Sequence, residues 1–426
     1  MKNIVIFVKT IQPQITQSNK LFYNLIYSNI SMKKKGVNRR DFLRLSATVG
    51  AGALIVPGAT ASTLDRTEQP PKNKFPLRKL GRTGVELPIL SMGVMRADNP
   101  NVVRAAYNAG LYHFDTAHGY QKGRNEEMLG VFFEGKPRED YFIATKVKID
   151  YPLKENYEQD LNEKLDLSLQ RLKMDYVDIF YAHAYDKIEE VKDEKIIAAL
   201  KKIKESGKAR FIGFSSHAHK PELLHAAIDT GIYDVILVSY NFKLKNLKET
   251  EDAIKRAAEA GIGIVAMKTM TGGVEDAEGK KKINAQACLK WVWKNKHITT
   301  IIPGFSNYDE FDECLAAAQA PELTQDEQVY LASLCDNEMM FCQQCKECVA
   351  QCPEKLPIPD IMRAYMYTYG YKYAQLSKET LEEINLAENA CSNCDSCKVK
   401  CPSGFNVVQK IAAITPVMSI PNEFLT

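Results

Sequence analysis

The sequence has no apolar run of about 18 residues, the length that would suggest a membrane span. It also lacks a general charge excess. Its 56 Lys/Arg and 53 Asp/Glu residues leave a net charge of +3, so the broad basic surface expected of a nucleic-acid partner is missing. With 45% hydrophobic residues in a chain of 426, it is neither a disordered chain nor a disulfide mini-protein. The length suits two or three domains, or one large α/β barrel with additions. The near-neutral total conceals an imbalance. Residues 1–61 carry nine Lys/Arg and one acid, which leaves 47 basic and 52 acidic residues in a mildly acidic body. Cysteine is uneven too: eight of the eleven lie in two tight runs near the C-terminus.

Residues 32–61 have the three-part layout of an export signal. A basic stretch from Lys33 to Arg40 precedes a modestly apolar stretch from Phe42 to Val56. Ala59-Thr60-Ala61 then forms an A-x-A ending before Ser62. Arg39-Arg40 followed by Asp41-Phe42-Leu43 resembles the twin-arginine motif, whose pathway carries folded proteins. That resemblance implies export to the periplasm or cell envelope. If the signal is unused, the protein is expected in the cytoplasm. Residues 1–31 fit no part of such a signal, so translation is expected to start at Met32. Residues 62–74, with Pro70-Pro71, read as a linker.

From about residue 75 the chain alternates short apolar runs with amphipathic stretches. Strands are expected at Ile89–Met95, Tyr112–Ala117, Tyr141–Lys148, Tyr176–His183, Ala209–Ser215, Val235–Tyr240, Gly263–Lys268 and Thr300–Pro303. Helices are expected between them, for example at Asn156–Leu172, Glu189–Lys204, Lys248–Ala260 and Ala285–Lys294. The second of these places Val191, Ile196, Leu200 and Ile203 near one face. Gly207, Gly231 and Gly261 each follow a helix, where a left-handed cap is favoured. Eight strand–helix pairs in some 230 residues predict a (β/α)₈ barrel over residues 75–330. A doubly wound sheet is the rival, but no G-x-G-x-x-G follows the first strand. Leu77–Pro88 reads as a hairpin ahead of the barrel.

Active sites on such barrels lie at the C-terminal strand ends. There the sequence places Asp115, His118, Tyr120, Lys146, His183, Ser215, Ser216, His217, Tyr240, Asn241, Lys268 and Thr269. A Lys and an Asp on adjacent strands need each other, because either alone is costly to bury. The segments HFDTAHGYQKGRNEEMLG, FIATKV, DYVDIFYAH, GKARFIGFSS, YDVILVSYNF and TTIIPG resemble, in order and spacing, the motifs of the aldo/keto reductase superfamily. The resemblance spans about residues 75–320. It implies a catalytic tetrad of Asp115, Tyr120, Lys146 and His183, with Tyr120 as general acid/base.

The expected chemistry is hydride transfer to a carbonyl carbon with a proton delivered to its oxygen. A free tyrosine holds its proton too tightly for this, and Lys146 is expected to lower the Tyr120 pKa. His118 and His217 read as solvated loop histidines. The resemblance also implies an NADP or NAD site touching Ser215, Ser216, Lys268 and Ser306. Here the sequence departs from the family. Ser216 replaces an Asn, Leu237 a Gln and Met267 an aromatic. The stretch after strand eight has no Arg for a 2′-phosphate, and it carries Asp309, Glu310 and Asp312.

Cys342, Cys345, Cys348 and Cys352-Pro353 form one run, and Cys391, Cys394, Cys397 and Cys401-Pro402 repeat its spacing. Zinc could use two C-x₂-C pairs, and an exported protein could use disulfides. The third cysteine and the Cys-Pro of each run favour [4Fe–4S] clusters. In two-cluster ferredoxins of this spacing the fourth cysteine crosses to the other cluster. The expected quartets are therefore Cys342, Cys345, Cys348 and Cys401, and Cys391, Cys394, Cys397 and Cys352. Cys288, Cys314 and Cys335 read as buried, inert thiols. Residues 361–386 read as a helix-rich insertion, in which alternating tyrosines from Tyr365 to Tyr373 pack over the clusters.

The whole chain resembles the ferredoxin-tailed aldo/keto reductases: an α/β TIM barrel, then a small, mainly helical iron–sulfur domain over residues 331–426. The resemblance implies an oxidoreductase that interconverts a carbonyl and an alcohol, with two clusters relaying electrons. A small-molecule substrate and a redox partner protein are expected, with no nucleic acid and no permanent membrane span. The rival reading is an electron-transfer or binding protein on a barrel that has lost nicotinamide use.

Overall fold

The computed structural model describes residues 74–273, 282–335, 341–387, 389–391, 394 and 397–425. The basic leader at 1–61 lies outside the described residues. The chain enters through an antiparallel hairpin, β1 (Leu77–Lys79) and β2 (Glu86–Pro88). Its buried Leu80 and Leu87 join the apolar interior of a parallel sheet and plug its N-terminal end.

That sheet has eight strands: β3 (Met92–Gly93), β4 (His113–Asp115), β5 (Phe142–Val147), β6 (Val177–Tyr185), β7 (Ala209–Ser216), β8 (Val235–Ser239), β9 (Gly263–Met267) and β10 (Thr300–Ile301). Each pairs with its neighbour in sequence order. Bridges Leu90–Ile301 and Gly93–Gly304 join the first strand to the last, so the sheet is a barrel. All eight expected strands occur; six are shorter than expected, while β6 and β7 run on to Tyr185 and Ser216.

The helices follow the strands on the outside. They are α1 (Pro100–Ala109), α2 (Arg124–Phe133), α3 (Tyr157–Leu172), α4 (Ile188–Lys192), α5 (Glu194–Glu205), α6 (Lys220–Thr230), α7 (Leu247–Glu259), α8 (Ala285–Trp293), α9 (Tyr308–Gln319) and α10 (Gln325–Cys335). The single helix expected over 189–204 is two. Asp193 leaves helical geometry, and its carboxylate accepts from the Lys195 and Ile196 amides, so it starts a new helix within the old periodicity. Val191, Ile196, Leu200 and Ile203 still face the core.

Strand periodicity sorts the barrel's side chains. Phe114, Ile143, Phe180, Ile212, Phe214, Ile236, Val238, Ile264 and Ala266 point outward into the layer under the helices. Phe142, Ala144, Ile179, Tyr181, Val235, Leu237 and Val265 fill the interior. One step further up the same inward face lie Asp115, Lys146, His183 and Met267. The alternation that builds the core thus also aims Asp115, Lys146 and Met267 at the mouth.

The C-terminal part is a small helical body: α11 (Ile358–Tyr369), α12 (Ala374–Glu383) and α13 (Val407–Ile414). Ile361, Met362, Leu381, Ile411 and Ile414 form its core, and Cys342, Cys348, Cys352, Cys391 and Cys401 pack against it. This body sits on the C-terminal mouth of the barrel. Lys346 pairs with Asp186 beyond β6, Asn241 beyond β8 donates to Gln343 at 3.4 Å, and Arg124 lies 3.8 Å from Glu379. No described helix is long and apolar enough to cross a membrane.

Candidate active site

Asp115, at the end of β4, and Lys146, near the end of β5, form an ion pair that is 2% and 1% exposed. The Lys146 ammonium also donates to the Thr116 carbonyl at 2.6 Å. Burial alone pushes Asp115 up and Lys146 down, and each charge opposes the other's shift. Two charges this deep stay ionised because they face each other. Asp115 Oδ2 has no partner among the described residues.

Tyr120 follows in the loop after β4. The Lys146 Nζ stands 5.1 Å from its ring centroid, and the His183 ring centroid is 5.9 Å from it, edge-on. The four expected tetrad residues are thus brought together. The expected effect of Lys146 on Tyr120 is not found. Burial drives the Tyr120 pKa well above its ordinary value, Asp115 raises it further, and the cation that opposes them is Arg363 of the helical body. The Lys146 ammonium is turned to Asp115 and the Thr116 carbonyl instead. Burial, then Lys146 and Arg363, pushes the His183 pKa well below its ordinary value, so its imidazole is neutral.

His183 owes its place to an irregularity. The β6–β7 register shifts between Ala182 and Tyr185, and Ala184 takes a positive φ of 63°. The Ala184 amide, lifted out of the ladder, donates to Ser215 Oγ at 2.9 Å. A bulge of this kind re-aims a side chain.

A cavity of about 460 Å³ opens beside the tetrad. Asp115 and Tyr120 stand at one end. The β9 loop, Met267 to Gly273, forms one wall, and Gly304 to Glu310 forms another. Of the expected nucleotide contacts, Lys268 and Ser306 are on these walls. Ser215 and Ser216 are not: both are fully buried, one holding the bulge and the other donating to the Ala218 carbonyl at 2.7 Å. Leu237 is interior core, whereas Met267 reaches the cavity.

The donor set suits a polar, charged guest. Thr269 Oγ1, like Asp115 Oδ2, is buried without a partner among the described residues. The Lys268 ammonium faces the Tyr367 and Tyr371 rings, at 5.9 and 5.7 Å. Glu310 accepts from the Ser306 amide at 2.9 Å and from Arg96 at 3.2 Å. These residues fit a nicotinamide dinucleotide, which brings an amide, hydroxyls and phosphates to one groove.

Two histidines depart from expectation. His118 is half-buried, with Nδ1 3.0 Å from Ser168 Oγ. His217 is also half-buried; burial and then Lys268 and Arg363 hold its pKa far down. No motif marks Arg96, Arg363, Tyr367 or Tyr371 as site residues, because they reach the mouth from a non-motif loop and from another domain. Cys288 and Cys314 are buried as expected, but Cys335 is exposed on the last turn of α10.

The sulfurs fall into two groups. Cys342 has Cys345, Cys348 and Cys401 as sulfur neighbours, and Cys391 has Cys394, Cys352 and Cys397, with Cys348 also near Cys352. Among the described residues no three ligating side chains are drawn together as a single metal ion requires. Cys345 lies close enough to Lys220, after β7, to oppose the burial that pushes that ammonium down to about 8. The Cys342 group is therefore the one at the barrel mouth.

Residues 90–285 match the aldo/keto reductase family, and residues 341–406 match the 4Fe-4S dicluster domain. The chain is similar to L-galactose dehydrogenase of Arabidopsis thaliana, 27% identical over 57% of this chain and 88% of that one. It is also similar to L-glyceraldehyde 3-phosphate reductase of Escherichia coli, 27% identical over 56% and 86%. Among solved structures, an aldo-keto reductase of Bacillus halodurans in its holo form aligns over 64% of this chain and all of that chain. Its TM-score is 0.53 at 22% identity, a likeness of fold. Barrel and matches together give an oxidoreductase whose residues 90–285 carry an aldo/keto reductase domain. More particularly, this chain carries a 4Fe-4S dicluster domain seated on the mouth of that barrel.

Proposed function

We propose that the protein interconverts a carbonyl and an alcohol on a small molecule, with NAD or NADP in the 460 Å³ cavity and Tyr120 as the general acid/base. The carrying observation is the cavity wall. Asp115 Oδ2 and Thr269 Oγ1 are buried there without partners among the described residues, next to a Lys268 whose ammonium faces the Tyr367 and Tyr371 rings and the like charges of Arg363 and Arg96. Unsatisfied groups of this kind are costly unless a ligand meets them. The rival reading, a barrel emptied of its nucleotide, leaves those groups unexplained.

When bound, the nicotinamide supplies the hydride. Burial keeps the Tyr120 phenol protonated at rest, and its proton passes only as hydride addition turns the carbonyl oxygen into a more strongly basic alkoxide. Neutral His183 orients the carbonyl oxygen by hydrogen bond. Lys146 and Asp115 set the floor on which Tyr120 rests.

The two sulfur quartets would hold two [4Fe–4S] clusters, which supply one-electron transfer to or from a redox partner protein. We further propose that residues 32–61 direct export of the folded protein by the twin-arginine route, with the cytoplasm as the location if that signal is unused.

The test is aldehyde-dependent oxidation of NADPH and NADH by anaerobically purified protein, with iron and sulfide assayed alongside. Turnover that disappears in Tyr120→Phe at unchanged iron content supports the reading. Equal turnover in the variant overturns the role of Tyr120.

A further inference from the structure

Aromatic residues alternate from Tyr365 to Tyr373, but α11 converts that alternation into pairs four apart. Tyr365 packs against Tyr369 with centroids 4.4 Å apart. Tyr367 stacks on Tyr371 at 5.9 Å, and this second pair faces the barrel. Tyr371 lies 4.8 Å from the Arg96 guanidinium and 5.7 Å from Lys268 Nζ. Arg96 in turn reaches Gly304 O at 3.4 Å and Ser306 Oγ at 3.3 Å. One ring is thus held to both walls of the cavity, through Lys268 on the β9 side and Arg96 on the β10 side. Gly370, Tyr371 and Lys372 themselves line the cavity.

The β9 loop is also clamped. A Cβ on Gly272 would fall 2.1 Å from Phe341 Cδ2, and one on Gly370 would fall 2.6 Å from Gly272 O. The dicluster domain therefore meets this wall with no room for a methyl group on either side. Close-packed contacts of this kind do not yield gradually.

We infer that the dicluster domain is a fixed roof over the groove, with Tyr371 as its bolt, which makes the nicotinamide dinucleotide a resident cofactor that exchanges slowly with solution. The inference rests on the reading of the cavity as the nucleotide site. A cofactor enclosed in this way would also stay with a chain that is exported folded.

The experiment loads the iron-replete holoprotein with radiolabelled NAD⁺ or NADP⁺, whichever binds, and chases with unlabelled nucleotide. Label is counted on the protein after rapid desalting. Wild type is expected to keep its label for minutes or longer. Tyr371→Leu keeps an apolar side chain but loses both cation contacts, and should release label about tenfold faster or more. Tyr369→Leu, on the opposite face of the helix, should release at the wild-type rate with the same iron content. Loss of wild-type label within the dead time overturns the roof, and so does equal release from Tyr371→Leu and wild type. Failure of wild type and both variants alike to bind labelled nucleotide at equilibrium would instead overturn the nucleotide reading of the cavity, and the roof with it.

Discussion

Tyr120 and Lys146 differ in what their removal costs. Tyr120 borders the cavity, so Tyr120→Phe should cost about 10²–10⁴ in turnover with an unchanged melting temperature in a thermal scan. Lys146 is 1% exposed against an equally buried Asp115. Lys146→Met leaves that carboxylate without a counter-charge, and should cost about 3–5 kcal/mol in denaturant unfolding as well as activity. The pH profile separates the proton donors. Above the raised Tyr120 pKa the acid is lost, and below the depressed His183 pKa the imidazole becomes charged. Between them carbonyl reduction should stay flat, from about pH 6 to about pH 8. A decline centred near the ordinary histidine pKa would show that His183 titrates, contrary to its enclosure by Lys146 and Arg363. At this scale the meeting of Asp115, Tyr120, Lys146 and His183 was legible in the sequence, because they stand at or just after strand ends within long motifs. The Tyr120 environment was not, because the deciding cation, Arg363, lies some 240 residues away in another domain.

The bulge in β6 carries a prediction of its own. Ser215 Oγ is the acceptor for the Ala184 amide at the register shift. Ser215→Ala leaves a buried amide unpaired, at about 1–3 kcal/mol, and frees the strand that aims His183. Unfolding and turnover should suffer together, and Ser215→Thr should restore both if the hydroxyl alone matters. Sequence pattern sees a strand here but not its bulge, since apolar alternation continues across Tyr181 and Tyr185. At Asp193, likewise, helical periodicity survives a break, because the capping carboxylate restarts the helix in phase. The tyrosines from Tyr365 onward suggest alternation by eye, yet they divide by helical geometry between the two sides of α11.

For the whole molecule, the order of elements told most of the fold. Eight strand–helix units and two cysteine runs are periodic signals that survive without any structure. How the two parts join is carried by scattered contacts, such as Lys346 with Asp186 and Asn241 with Gln343, which no period announces. The crossed sulfur quartets predict that Cys345→Ala and Cys401→Ala alter the same cluster signal in electron paramagnetic resonance of the reduced protein, while Cys352→Ala alters the other. Both signals surviving Cys401→Ala would place the fourth cysteine wrongly.

Calorimetric titration decides whether this barrel holds a nicotinamide dinucleotide between Lys268 and Ser306. NADH and NADPH are titrated separately into iron-replete protein freed of any carried nucleotide, and into Lys268→Glu. One site per chain is expected for at least one of the two, weakened about tenfold or more by reversing a single buried charge. Full iron, native fold and no binding of either nucleotide would contradict the nucleotide site, and would leave the barrel as a support for the clusters.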